Sequence, residues 1–207
     1  MSKNEAEMDM IDLPKIYAGV DEAGRGPLAG PVVAAAVILN PLKPIQGLKD
    51  SKLLSPQKRK QLFEIIKSTS LTYGIGQASV QEIDEINILW ASMLAMERAV
   101  EQLSSDAHSS PIEIVIIDGN RCPKKMKYPM KAVVKADKFI PAVSAASILA
   151  KVTRDNLMVE YHKQYPGYQF DVHKGYPTKL HKLRIKEYGS CPIHRQSFSA
   201  VITENVK

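Results

Sequence analysis

The sequence predicts an α/β fold that ends in a small helical segment, and three observations lead to this prediction. Residues 113–118 are almost entirely apolar, as strands buried on both faces of an α/β sheet are. Similar strand-like runs alternate along the chain with segments of helical periodicity. The length of 207 residues suits one domain with a sizeable core.

Each predicted strand is an apolar or alternating run bounded by turn residues. Strands are expected over residues 16–21, 32–39, 72–80, 113–118 and 132–135. The run at 113–118 ends in an acid, Asp118, and the run at 132–135 leads to Asp137.

Each predicted helix has its own start or stop signal. One begins at the Ser55 cap, with Pro56 in its first position, and runs to about Lys67. Further helices are expected over residues 81–104, with a break near Asn87, from Ser144 onward, and over 178–188, stopped by Gly189. The helix that opens at Ser144 has small residues on its early turns, which indicates a closely packed neighbour.

We divide the chain into a disordered tail (1–14), a catalytic core (15–165) and a C-terminal helical segment that contributes substrate contacts (166–207). No apolar run approaches the length of a membrane span, so we expect no membrane partner. Cys122 and Cys191 have no C-x-x-C partner and are interpreted as reduced thiols of a cytoplasmic protein.

The segment DEAGRGP, which begins at Asp21, is the most informative stretch. Asp21 and Glu22 stand where an apolar run stops, and the turn Gly24, Arg25, Gly26 follows. Adjacent acids at the end of a buried strand are costly unless a cation compensates their charge. The glycines let backbone N–H groups approach a ligand, and the arginine can pair with phosphate. Alone, an Asp-Glu pair before a glycine-rich turn is more often a solvated turn, so further acids have to agree with it.

Four acids share this position at a strand end: Asp21, Glu22, Asp118 and Asp137. Strand ends that meet at one sheet edge are where α/β folds place their sites. Carboxylates without histidine or cysteine suit Mg²⁺ or Mn²⁺, and the five histidines lack zinc-site spacing. Because neighbours on a strand point to opposite faces, Asp21 and Glu22 can share a site only if the strand ends or bulges there.

These features predict two-metal hydrolysis of a phosphodiester, in which no protein nucleophile is required. Ser144 and Ser147 are interpreted as helix-capping and phosphate-contact residues.

The charge distribution indicates a polyanionic partner. Residues 1–120 hold 11 Lys/Arg and 16 Asp/Glu, whereas residues 121–207 hold 17 and 6. An acidic first part and a basic remainder suit a metal cluster beside a surface that binds nucleic acid. The basic side chains expected to contact phosphate are Lys52, Lys151, Arg154 and Lys174. We expect a monomer without an obligate protein partner.

Six motifs together resemble bacterial ribonuclease HII. They are DEAGRGP at 21–27, LKDSK at 48–52, IDGNRCP at 117–123, SAASILAKVTRD at 144–155, HKGYPTKLH at 173–181 and HRQSF at 194–198. The resemblance covers about residues 15–200. It implies an RNase H-like fold, with a mixed sheet flanked by helices, and a metal-dependent endonuclease that cuts the RNA strand of RNA–DNA hybrids. It also implies incision 5′ of single ribonucleotides embedded in DNA, leaving 5′-phosphate and 3′-hydroxyl ends.

The resemblance assigns roles to individual positions. The metal-binding acids of the family fall on Asp21, Glu22, Asp118 and Asp137. Its Gly-Arg-Gly reader of the 2′-hydroxyl falls on Gly24, Arg25 and Gly26, and its junction-sensing tyrosine falls on Tyr176. Glycines suit close approach to a 2′-hydroxyl, which is the group that distinguishes RNA from DNA.

Two alternatives remain open from the residues. A four-acid 3′→5′ exonuclease would use the same metals and a similar fold. A non-catalytic nucleic-acid-binding module would explain the basic second part but not the four acids.

Overall fold

The computed structural model describes residues 13–48, 54–103, 112–199 and 201. A five-stranded mixed sheet forms its centre, with strand order β3-β2-β1-β4-β5. The strands are β1 (Tyr17–Ala23), β2 (Val32–Ile38), β3 (Thr72–Ala78), β4 (Ile114–Asp118) and β5 (Met130–Val133). β1, β2 and β3 pair antiparallel, whereas β4 lies parallel to both β1 and β5. The predicted α/β fold with a mixed sheet is confirmed.

Five helices accompany this sheet in the described part of the chain. They are α1 (Pro56–Thr69), α2 (Val80–Glu101), α3 (Pro141–Gln164), α4 (Phe170–His173) and α5 (Lys179–Tyr188). Helix α2 covers one face of the sheet, where Ile83, Met96 and Val100 join alternate residues of β2 in one apolar cluster. Helices α1 and α3 cover the other face. β2 is buried along its whole length because both of its faces are covered.

Glycines let the helices approach the sheet closely. A Cβ at Gly19 of β1 would lie 2.3 Å from the backbone N of Val143 in α3. A Cβ at Gly76 of β3 would lie 2.2 Å from the carbonyl oxygen of Ala95 in α2. Both distances are below any real contact, so only glycine permits this spacing between the layers.

The predicted helix signals act as expected. The Ser55 side chain accepts a hydrogen bond from the N–H of Lys58, with Pro56 in the first position of α1. Helix α2 is kinked at Asn87, where φ is 63°, and the Asn87 side chain caps the second part by accepting from the N–H of Leu89. Gly189 ends α5.

Three sequence expectations differ from the structure. Helix α3 begins at Pro141, before Ser144, because proline is well tolerated in the first turn of a helix. Strand β5 ends at Val133, since Lys135 takes the left-handed conformation with φ of 60°. Strand β1 continues beyond Asp21, through Glu22 to Ala23, instead of ending at Asp21.

The C-terminal segment packs against the end of α3 and returns to the start of β2. Residue His194 forms an isolated β-bridge with Ala29. The apolar residues that this segment packs together with the end of α3, which include Met158, Phe170 and Ile193, form a cluster separate from those on the two faces of the sheet. Within the described residues, no helix is both long and apolar enough to span a bilayer.

Candidate active site

Asp21 and Asp118 lie side by side, immediately after the last residue pair that joins the parallel strands β1 and β4. The pairing of β1 with β4 joins Val20 to Ile117, so the next residue on each strand is one of these acids. β1 extends beyond this last pair while β4 stops, which leaves an open space beside Asp21 and Glu22. Both acids line one cleft there, although β1 pairs regularly with β2 through Ala23 and does not bulge. β1 thus ends one residue beyond Glu22, without a bulge.

Asp21 is the most perturbed acid of the site. Only 6% of its surface is exposed. Burial raises the pKa of its carboxyl well above the usual range, and the negative charges of Glu22 and Asp118 raise it further. Hydrogen bonds from Ser147 and from the N–H of Glu22 oppose this shift of the pKa. Such a conflict of charge and burial is typical of functional sites.

Glu22 faces the same cleft with one oxygen engaged. Its Oε1 atom lies 3.4 Å from Nη1 of Arg25, whose side chain is half exposed. Its Oε2 atom is buried and has no hydrogen-bond partner within the part of the chain that the structure describes. A buried carboxylate oxygen without a partner is costly unless a cation is available to it.

Asp137 lies on a short 3₁₀ turn, Ala136–Lys138, between β5 and α3. It is buried, with 6% of its surface exposed. The Ser144 hydroxyl donates to the backbone carbonyl of Asp137 at 2.6 Å and to that of Ile140 at 3.3 Å. Ser144 therefore fixes the turn that carries Asp137, and its burial leaves no direct route to a phosphate.

The acids fit a hard divalent cation by their chemistry, although they are not yet gathered around one point. Across the described ranges, no three carboxylate, imidazole or thiolate groups stand close enough to hold a metal ion as they are. The raised pKa of Asp21 and the unpartnered Oε2 of Glu22 both indicate negative charge that a cation would compensate.

The cleft has a volume of about 220 Å³ and joins the acids to the glycine turn. Its lining contains Asp21, Glu22, Ala23, Gly24, Arg25, Gly26, Ser147, Lys151 and Tyr176. A larger hollow of about 600 Å³, between β3 and α2, contains only one acid, Glu101. The two acids and the glycine turn in its lining, and not its volume, therefore identify the smaller cleft as the candidate active site.

Tyr176 and Lys151 line the same cleft as Asp21 and Glu22. The Tyr176 side chain is exposed enough to meet a ligand, at 39%, and its Cε1 atom is 4.0 Å from the position of a Cβ at Gly26. Nζ of Lys151 lies 5.5 Å from the centre of the tyrosine ring and donates to Asp155 Oδ1 at 2.7 Å. The structure thus brings the predicted reader turn and the predicted junction tyrosine together.

Arg154 differs from the expectation that it contacts phosphate. Its side chain is fully buried. Its guanidinium donates to the carbonyls of Pro31 at 3.1 Å, Ala29 at 3.0 Å and Lys174 at 3.0 Å. The prediction of a phosphate contact is corrected to a structural role, because every part of the guanidinium faces backbone carbonyls inside the protein.

Two further residues were predicted to contact phosphate, and neither Lys174 nor Lys52 can be assigned to the cleft. Lys174 is in the left-handed conformation, and its Nζ donates to the carbonyl of Asp171. It lines a second hollow together with Arg59, Lys60 and Asp155. Lys52 lies outside the described residues.

Arg195 is a buried residue that sequence reasoning did not single out, although HRQSF was among the motifs. It is fully buried, and its guanidinium donates to the carbonyls of Gly24, Arg25 and Gly30. Burial, together with the charge of Arg154, lowers the pKa of Arg195. The local sequence gives no sign of this burial, since the accepting carbonyls are more than 160 positions away.

Three buried histidines beneath Tyr176 were also missed. His194 accepts at Nδ1 from the N–H of Cys191, so its Nε2 donates to Nε2 of His181 at 3.0 Å. His181 in turn donates from Nδ1 to the carbonyl of Tyr176 at 3.0 Å, and His173 stacks on its ring. Burial lowers the pKa of all three histidines, to about 3 for His181 and about 4 for His194, which favours their neutral forms.

Comparison with known proteins identifies the family. The family model described as Ribonuclease HII matches residues 18–201. The ribonuclease HII of Burkholderia mallei (strain SAVP1) is 54% identical over 192 residues, which cover 92% of this chain and 87% of that protein.

Solved structures agree on the fold. The ribonuclease H2 from Pyrococcus horikoshii OT3 superposes with a TM-score of 0.70 at 31% identity, covering 92% of this chain and 97% of that one. The Bst-RNase HIII structure in complex with Mn²⁺ gives a TM-score of 0.76 at 18% identity, covering 91% and 68%, and supports the fold alone. The chain belongs to the ribonuclease HII family.

Proposed function

We propose that this member of the ribonuclease HII family incises duplex DNA on the 5′ side of a single embedded ribonucleotide. Its family makes it a metal-dependent endoribonuclease that acts on RNA–DNA hybrids. One observation carries the finer proposal: Asp21 and Glu22, the Gly24–Gly26 turn and Tyr176 line the same cleft. Chemistry and recognition of the sugar can therefore act on one nucleotide.

We propose that Asp21, Glu22, Asp118 and Asp137 hold Mg²⁺ or Mn²⁺. Divalent ions at such a site supply a hydroxide at neutral pH and neutralise the charge of the leaving oxygen, which yields 5′-phosphate and 3′-hydroxyl ends. The contribution of the chain is to keep the carboxylates available. The hydrogen bond from Ser147 favours the charged form of Asp21, and Ser144 holds the turn that bears Asp137.

The turn Gly24–Gly26 is proposed to recognise the 2′-hydroxyl through its backbone. Gly26 has no Cβ atom that would keep a sugar away, and the nearest atom to such a Cβ would be Cε1 of Tyr176 at 4.0 Å. Gly24 is required for a different reason: its φ is +101°, and a Cβ there would lie 2.1 Å from Nε of the buried Arg154. Arg25, which is half exposed, and Lys151, which is mostly buried, offer positive charge to the flanking phosphates.

Tyr176 is proposed to sense the step from RNA to DNA. Its ring can stack on a deoxyribose or base and would clash with a 2′-hydroxyl on the neighbouring nucleotide. His181 holds the backbone of Tyr176 through its carbonyl, and Nζ of Lys151 lies against the ring. Together these contacts keep the ring at the cleft.

We further propose that the protein acts as a monomer in the cytoplasm. Both of its cysteines are free, as expected of a reducing compartment.

The test is incubation with a duplex that carries one ribonucleotide between blocked strand ends, with Mg²⁺, with Mn²⁺ and with EDTA. A single cut 5′ of the ribonucleotide, in both metals and not in EDTA, is expected. Products shortened from an end, or binding without any cut, would contradict the proposal.

Tyr176→Ala tests the junction role in the same assay. Cutting at the lone ribonucleotide should fall by about tenfold to a hundredfold, the scale of one lost aromatic–base contact. Cutting within a long RNA stretch should fall less. Equal losses on both substrates would show that Tyr176 only supports the site in general.

A further inference from the structure

We propose that Arg195 is a specificity-determining positioning residue, which fixes the Gly24–Gly26 turn so that its N–H groups face the 2′-hydroxyl. The proposal rests on the proposed function of that turn and extends it to a residue that does not line the cleft. Arg195 itself is fully buried and therefore acts only through the backbone that it holds.

The contacts of Arg195 concentrate on this one turn. Nη2 donates to the carbonyl of Gly24 at 2.6 Å, and Nη1 donates to that of Arg25 at 3.0 Å. Nε and Nη2 donate to the carbonyl of Gly30 at 3.0 and 2.8 Å. A planar guanidinium with donors in a fixed fork holds three carbonyls in one defined arrangement.

The orientation of these carbonyls determines where the N–H groups point. In a planar trans peptide the C=O and the N–H point in opposite directions. The carbonyl of Gly24 shares a peptide with the N–H of Arg25, and the carbonyl of Arg25 shares one with the N–H of Gly26. Because both carbonyls turn inward to Arg195, both N–H groups turn outward, on the side where these residues line the cleft.

Arg195 is itself held in place from two sides. Its N–H donates to the carbonyl of Leu28 at 2.8 Å. The turn that follows it is fixed by Asp84 of α2, which accepts from the N–H groups of Gln196 at 3.0 Å and Ser197 at 2.9 Å. The Ser197 hydroxyl also donates to Asp84, at 2.6 Å. A chain of contacts therefore runs from α2 to the reader turn.

A role in stability alone does not explain this arrangement. Arg195 brings a charge into the interior, where its guanidinium bonds to carbonyls and not to a carboxylate, and Arg154 lies nearby with the same charge. Apolar side chains of similar volume often stabilise a core as well or better than buried charges do. What an apolar side chain cannot do is orient three carbonyls.

The experiment measures recognition separately from cleavage. Two duplexes of identical sequence are used, one with a single ribonucleotide and one of DNA only. Dissociation constants for both are measured in EDTA, so that neither duplex is cut. The wild-type protein is expected to prefer the ribonucleotide duplex.

Arg195→Lys keeps the charge but loses the fork. The preference for the ribonucleotide should fall by up to about tenfold, the cost of one lost hydrogen bond to the 2′-hydroxyl, while affinity for the DNA duplex stays the same. Arg98→Lys is the matched control. Arg98 also donates to a backbone carbonyl, that of Gln77 in the edge strand β3, but it does not line the cleft. This control should keep the wild-type preference.

Several outcomes overturn the inference. A folded Arg195→Lys protein with unchanged preference would do so, and so would an equal loss of affinity for both duplexes, which indicates a general structural role. If Arg195→Lys does not fold, Asp84→Ala decides, since it retains Arg195 but releases the following turn. A reduced preference then supports the inference and an unchanged one contradicts it. A wild-type protein without any preference would instead refute the proposed reader turn.

Discussion

Asp21, one of the proposed metal ligands, carries a cost to stability. Its burial and its charged neighbours raise its pKa, so the ionised form that a metal needs is unfavourable without one. A carboxyl whose pKa is raised by folding contributes stability below its unfolded pKa of about 3.9, and this contribution is lost as the pH rises through the folded pKa. The metal-free protein is therefore destabilised by this residue at neutral pH.

Asp21→Asn should abolish turnover and stabilise the metal-free protein at pH 7. The gain in melting temperature should be about 2–4 °C, which corresponds to roughly 1 kcal/mol in a chain of this size. It should vanish near pH 4, where the wild-type carboxyl is protonated too. Thermal melting in EDTA at both pH values measures it. Loss of the folded state by circular dichroism would mean that Asp21 is structural.

At the same scale, the sequence indicated the acids and the glycine turn but not the buried arginines. Acids at strand ends and glycines between apolar runs are local patterns that can be read directly. Whether Arg154 or Arg195 faces solvent depends on carbonyls that distant segments supply. No local pattern distinguishes an arginine of this kind from one that contacts phosphate.

Among the elements, the contact between β1 and α3 determines the geometry of the site. α3 lies against Gly19 of β1 and carries Ser147, which donates to Asp21. A small outward shift of this helix would move the hydroxyl away from the carboxylate. The small residues predicted on the early turns of α3 are explained by this close approach.

Gly19→Ala should therefore reduce both stability and turnover. Overpacking of this kind typically costs about 1–3 kcal/mol. Gly76→Ala is the matched control, because its Cβ would meet α2 beyond the kink at Asn87 and would not move α3. Melting temperatures and cutting rates of both variants are compared. Equal loss of rate for equal loss of stability would show that the position of α3 has no special effect.

The strands and helices themselves were largely predictable, because the spacing of apolar residues in each of them, and the capping residues of the helices, are local signals. The course of β1 through Asp21 and Glu22 was not, since the acids looked like the end of a buried run. Pairing with β2 as far as Ala23 keeps the strand extended there. Long-range pairing of this kind has no local signature.

The C-terminal segment should make stability sensitive to acid. Burial holds the pKa of His181 near 3 and of His194 near 4, below the unfolded value of about 6.5. The unfolded chain then binds more protons below that value, so stability is complete above pH 6.5 and is lost as the pH falls toward the folded values.

His194→Gln should make this pH dependence shallower. Each buried neutral histidine contributes a slope of about 1.4 kcal/mol per pH unit between these limits. Urea unfolding at pH 7, 6 and 5 measures the slope for both proteins, and the contribution of Asp21, which has the opposite sign, is common to both. Parallel curves would mean that His194 is not held neutral by the fold.

In the molecule as a whole, negative charge is concentrated in the first part of the chain and positive charge in the second part. The acids that precede residue 120 include three of the four candidate metal ligands, whereas most of the positive charge follows. Folding places two basic residues, Arg25 and Lys151 of α3, beside the acids of the cleft. We therefore expect a negatively charged duplex to be attracted to the proposed active site.

Binding of a hybrid duplex should consequently weaken with salt, with a log–log slope of several units, since each neutralised phosphate contributes roughly 0.9 on B-form DNA. Lys151→Ala, in the cleft, and Lys174→Ala, in the neighbouring hollow, should each make the slope shallower by about one. Lys67→Ala is the control, because Lys67 lies at the end of α1 opposite to Pro56, which borders that hollow. Affinities are measured in EDTA between low and moderate salt. A control that changes the slope as much as the two test variants would mean that the basic charge acts diffusely and not through contacts beside the cleft.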